Sequence, residues 1–217
     1  MPTLMKRFDL DLATKSRLAL GIVEAGELSR IDASKRVSKE WTRTRLEALY
    51  ELAYLHAFAE WEADLEAVFI RSVCGHASRY GRETLVTGAY SLSLAHAETR
   101  VLGGGDFLLW HDPDKVIKRC KRFFVSGSPG CPARQETTIA ANLARLVDLA
   151  SIRHRIVHTH QTDAKNKFDA ATLNIAARTF QGSRPGVFLR SWDSSAPPRR
   201  WLEVLIGQLI AMMSLMV

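Results

Sequence analysis

VSKEWTRTRLEALYELAYLHAFAEWEADLEAVFIRSV, residues 37–73, contains neither proline nor glycine and is rich in Ala, Leu and Glu. Tyr50, Tyr54, Phe58, Trp61, Leu65, Val68 and Phe69 recur at steps of three and four, the spacing of one face of an α-helix. Glu47, Glu51, Glu62 and Glu66 fall largely on another side. The stretch predicts one long amphipathic helix, ended by Gly75. A helix of this length with an aromatic stripe needs other helices to cover it, which points to an all-α fold.

The flanking sequence fits that class. Helices are predicted over Ala13 to Glu27, Arg82 to Thr99, Asp112–Pro113 to Phe124, Thr137 through His158, and Asp163 or Lys165 to Phe180. Asp112 followed by Pro113 reads as a cap and first turn. The glycines 103–105 resemble a phosphate loop, but no Gly-Lys-Ser/Thr follows, so they read as a turn. SGSPGCP, residues 126–132, reads as a loop. RPGVFLRSW, Arg184 to Trp192, reads as a short extended arm near the C-terminus. The expected architecture is a helical bundle forming a single domain over residues 1–217. Its core lies at about 37–180, with the N-terminal and C-terminal helices as elaborations.

Hydrophobic residues make up 47% of the 217, enough for a core and too many for a disordered chain. The formal net charge of +7 favours polyanionic partners. Cys74, Cys120 and Cys131 are odd in number and show no CxxC spacing, which fits a reducing cytoplasm and argues against a zinc or disulfide framework. The start lacks the apolar run of a secretory signal. WLEVLIGQLIAMMSLMV, residues 201–217, approaches the length of a membrane span. It holds Glu203 and Gln208 and is interrupted by Gly207, so it reads as a core helix or a subunit surface, with no membrane partner.

The densest group of reactive side chains is RHRIVHTH, Arg153 to His160, with three of the seven histidines. His154 and His158 are four apart, as in a zinc-binding helix, but Arg155 stands where such a motif has its glutamate and would repel a cation. No metal and no other cofactor is therefore expected. RNA cleavage remains: the substrate supplies its own 2′-OH nucleophile, histidines move protons near neutral pH, and arginine offers a fork of donors to phosphate. An Arg-x4-His spacing occurs at Arg71–His76, Arg153–His158 and Arg155–His160. Arg71–His76 straddles Cys74–Gly75 at a helix end and Arg155 is followed by apolar Ile156, whereas Arg153 has a polar next residue, His154, and a preceding apolar helix.

These residues resemble the HEPN superfamily, whose ribonuclease members carry Arg, a polar residue, then His a few positions on. RHRIVH matches as Arg153, His154 and His158, with His154 where the family most often has Asn. IAANLARLVDLASI is similar to the family's preceding helix and AFAEWEADLEAVFIRSVCG, residues 57–75, to its long N-terminal one; the likeness covers about Val37 to Phe180 with an insert between its halves. The resemblance implies a metal-independent endoribonuclease acting through 2′-OH attack, with Arg153, His154 and His158 catalytic. It implies a homodimer with its two motifs side by side, and a toxin–antitoxin or antiviral defence setting with an antitoxin or other partner protein. Glu62 and Glu66 would orient the motif from the long helix. Lys115, Lys118, Arg119, Lys121 and Arg122, with Arg155, are candidates for gripping RNA phosphates. The alternatives are a non-catalytic HEPN module that binds RNA or a nucleotide, and a helical protein-interaction domain.

Overall fold

The computed structural model describes residues 3–31, 37–103, 108–125 and 134–217. The protein is all-α. The predicted long helix is present as α3, Arg43–Val73. A separate turn, α2 at Val37–Glu40, precedes it, because Trp41 and Thr42 leave the helical path. Gly75, at φ +79°, follows the end of α3 in the left-handed conformation that glycine adopts without strain.

The other helices are α1 (Phe8–Ile31), α4 (Leu94–Leu102), α5 (Pro113–Phe123), α6 (Arg134–Ala141), α7 (Leu143–Val157), α8 (Thr162–Ala176), α9 (Pro185–Arg190) and α10 (Trp201–Ser214). The strands β1 (Ala77–Ser78) and β2 (Gly81–Arg82) form a two-residue antiparallel hairpin. The start of α5 is as predicted: Asp112 accepts from the Lys115 N–H at 3.2 Å and Pro113 occupies the first turn. The helix predicted from Thr137 through His158 bends at Asn142, whose side-chain amide donates to the Thr138 carbonyl at 2.8 Å.

Two expectations are corrected. Arg82 ends β2 and residues 83–93 are turns and irregular chain rather than helix; only Leu94–Leu102 is helical. The arm at Arg184 to Trp192 is not extended; Pro185–Arg190 is helical. The cause is tertiary. Arg184 pairs with Glu47, and the Gly186 N–H donates to Glu51 at 2.8 Å, so the segment docks as a helical turn. Glu47 and Glu51 thus face inward; Glu47 is 3% exposed. The three-glycine turn beyond Gly103 and the loop at 126–132 lie outside the described residues.

The chain forms two compact units, each built from separate stretches of sequence. The first comprises residues 1–11, 61–146 and 210–217. Its core centres on Phe69, whose ring lies 5.4 Å from Trp110, 5.6 Å from Phe123 and 4.9 Å from Phe124. The second comprises 12–60 and 147–209. There Phe188 packs against Phe180, Phe168 and Trp201, and the buried Tyr54 hydroxyl donates to the Leu149 carbonyl at 2.8 Å. In α10, Leu202, Leu205, Ile206, Leu209, Met212 and Met213 are all buried within the chain, so its apolar content serves the core rather than a subunit surface. No described helix is long and apolar enough to cross a membrane.

Candidate functional site

SIRHRIVH closes α7, and the chemistry gathers where the helix ends. The last turn stays wound past Val157: the His158 N–H donates to the His154 carbonyl at 2.9 Å. That bond keeps the i and i+4 side chains on one face, and the two imidazole rings lie with centroids 4.4 Å apart at 48°. Arg155 holds the turn. Its guanidinium donates to the carbonyls of Ser183 at 3.1 Å, His158 at 3.4 Å and Thr159, satisfying oxygens that a helix end leaves open. A residue named from sequence as a phosphate contact is thus occupied in shaping the site. His160 is exposed beyond the turn.

α8 begins directly after this turn and brings Asp163 and Lys167, an ion pair at 2.8 Å. Both act on His154. Its pKa lies below the ordinary imidazole value, first because of partial burial, then because of His158 and Lys167; Asp163 opposes and Arg153 adds to the depression. Arg153 is half-buried, and its charge also reaches the phenol of buried Tyr54. The structure therefore joins His154 to His158 ring to ring, with the Arg153 charge acting on His154 more weakly than His158 and Lys167 do. Sequence spacing singled out these three and missed Asp163 and Lys167. The available signal was their i, i+4 spacing in the first turns of the next helix.

The other candidates are placed differently. Glu62 Oε1 lies 3.1 Å from His111 Nδ1, and the charge of Glu66 acts on Arg119, both within the first unit. On α5, Lys115, Lys118, Arg119 and Arg122 line a cleft of about 310 Å³ floored by Val101, Leu102, Leu108 and Phe123. Arg119 stacks 4.4 Å from the Trp110 ring, while Lys121 turns toward Glu136 at 4.0 Å. Among the described residues no three His, Cys, Asp or Glu side chains converge as a metal-binding group.

No protein-family model, no curated protein and no solved structure matches this chain.

Proposed function

We propose that this protein is a metal-independent endoribonuclease of HEPN type, with His154 and His158 moving protons and Arg153 stabilising the phosphate. The observation that carries the reading is the pair of imidazoles 4.4 Å apart beside an arginine charge. One group removes the proton of the RNA 2′-OH, whose oxygen attacks the adjacent phosphorus. The other protonates the departing 5′-oxygen. The products are a 2′,3′-cyclic phosphate and a 5′-hydroxyl. The depressed pKa of His154 favours its neutral form and so favours it as the base, with His158 as the acid. Arg153 stabilises charge developing on the non-bridging oxygens.

The four cations around the α5 cleft favour RNA as the polyanion that the net charge of +7 attracts. A homodimer and a toxin–antitoxin or defence role in the cytoplasm, with an antitoxin or similar regulator, belong to the same reading.

The test is cleavage of total RNA in EDTA by wild type and by the Arg153→Ala, His154→Ala, His158→Ala and His160→Ala variants. Loss of a general acid or base should slow the reaction by about 10² to 10⁴, and loss of the arginine by about 10² to 10³. His160→Ala should stay near wild type, and DNA should be left intact. Wild-type activity in His158→Ala would end the reading. An RNA complex that persists with no cleavage in wild type would leave the non-catalytic binding module.

A further inference from the structure

α5 sorts its side chains by chemistry. Val116, Cys120 and Phe123 are buried in the first unit. Lys115, Lys118, Arg119 and Arg122 recur at steps of three and four, so they share one stripe of the helix, and all four line the cleft of about 310 Å³. Lys115 reaches the capping Asp112 at 3.4 Å, and Lys121, off the stripe, reaches Glu136 at 4.0 Å. Among the described residues no carboxylate stands within ion-pair distance of Lys118, Arg119 or Arg122. Like charges at these spacings destabilise a helix, and an anion lying along the stripe relieves the repulsion.

Arg119 adds a second feature. It is half-buried, its guanidinium is stacked 4.4 Å from the Trp110 ring, and one of its nitrogens is enclosed with no hydrogen-bond acceptor among the described residues. Burial holds its pKa below the ordinary arginine value, outweighing the charges of Cys120 and Glu66. The enclosed nitrogen touches no ligand itself. The charge it shares is poorly solvated, however, and an anion in the cleft acts on that charge without contact.

The rest of the lining is apolar. Val101 and Phe123 are nearly covered, whereas Leu102 and Leu108 remain half-exposed. No side chain lining the cleft carries a hydrogen-bond acceptor. The cleft therefore offers positive charge and donors beside a small apolar surface. A free inorganic anion would leave the leucines wet. A nucleic-acid duplex would do the same, because its bases are stacked inside it. A single strand can turn a base out of its stack, and such bases pack on apolar side chains and on guanidinium planes while neighbouring phosphates meet the cations.

We propose that the α5 cleft is a subsite for single-stranded RNA, with Lys118 and Arg122 on neighbouring phosphates and Leu102, Leu108 and the Arg119 guanidinium receiving one unstacked base. With no acceptor in the lining, base amino groups are not read, and the subsite tolerates any sequence. The choice of RNA as the polyanion rests on the ribonuclease reading, which this inference deepens by naming the single strand as its substrate.

The experiment is fluorescence anisotropy of the full chain with a labelled 2′-O-methyl RNA strand of about ten nucleotides. That strand lacks the nucleophilic hydroxyl and survives whether or not the protein cuts. It should bind about fivefold or more tighter than a duplex of the same sequence or an abasic version of the strand, the contribution of one stacked base. Leu102→Asn combined with Leu108→Asn should erase this preference and leave duplex affinity unchanged. Lys118→Gln combined with Arg122→Gln should lower the slope of log affinity against log salt by about 1.4, the value for two phosphate contacts on a single strand. The proposal is overturned if the duplex or the abasic strand binds as well, if the lysine–arginine variant keeps the wild-type slope, or if polyglutamate displaces the strand as readily as unlabelled strand does. Should the leucine variant fail to fold, the abasic comparison on wild type and the variant of the exposed Lys118 and Arg122 decide. Strand binding without cleavage of ordinary RNA would keep the subsite and remove the cutting; cleavage without strand preference would do the reverse.

Discussion

The imidazole of His154 is surrounded by groups that disfavour a proton on it: partial burial, then His158, Lys167 and Arg153, with Asp163 pulling the other way. A base must be neutral, and the neutral fraction rises with pH through the pKa. Initial cleavage rates should therefore climb along an acid limb whose midpoint lies below the ordinary 6.5. Lys167→Met, by removing a positive charge, should move that midpoint upward. An acid limb unmoved by the substitution would detach His154 from the base role. In the other unit, burial raises the Glu83 carboxyl to about 7 from 4.5, although the Arg134 N–H donates to it at 2.7 Å. A folded-state pKa above the unfolded one stabilises fully below 4.5, and that contribution is lost as pH rises through 7. Glu83→Gln should therefore flatten the dependence of unfolding free energy on pH across this window. The change removed is at most about 3 kcal/mol, given about 1.4 kcal/mol per tenfold change in proton affinity. Denaturant melts of both proteins from acid to mildly alkaline pH would show it.

The short α9 illustrates how an element takes its form from its surroundings. A Cβ on Gly186 would stand 2.7 Å from the Glu47 carbonyl carbon, and backbone cannot swing aside as a side chain can. Gly186→Ala should destabilise by about 1–3 kcal/mol, the range for overpacking a fitted contact. An unchanged melting temperature would mean that α9 does not sit this close to α3. The same helix marks the limit of what periodicity reveals. α3, the capped start of α5, and α8 were legible because local signals and burial agree there. Residues 185–190 were not, because Arg184 and Gly186 answer to Glu47 and Glu51, more than a hundred residues earlier. Those two glutamates seemed part of a polar face for the same reason: their partners come from distant sequence. His154 and His158 could be paired from spacing alone, since a helix brings i and i+4 together. That Arg155 would close the helix, and that Asp163 and Lys167 would flank the pair, depended on how the chain turns at residues 158–161.

At the scale of the whole molecule, α1 rather than α10 presents a row of exposed apolar residues to a second copy. Leu18 is 67% exposed, Ile22 52% and Leu28 61%, and they recur with Gly21 and Ala25 at steps of three and four. If the proposed homodimer uses this face, light scattering should give twice 24.3 kDa for wild type at micromolar concentration. Leu18→Glu combined with Ile22→Glu should give 24.3 kDa with helicity unchanged. A wild type that scatters as a single chain would remove the dimer. The interleaving of the two units also bears on how the protein is made. One unit needs residues up to 209 and the other needs residues 210–217. Neither can therefore close on a ribosome that has delivered only the first half of the chain. Small domains ordinarily fold one after another as they emerge. Here the apolar face of α1 and the aromatic face of α3 must wait for their partners, exposed and prone to association.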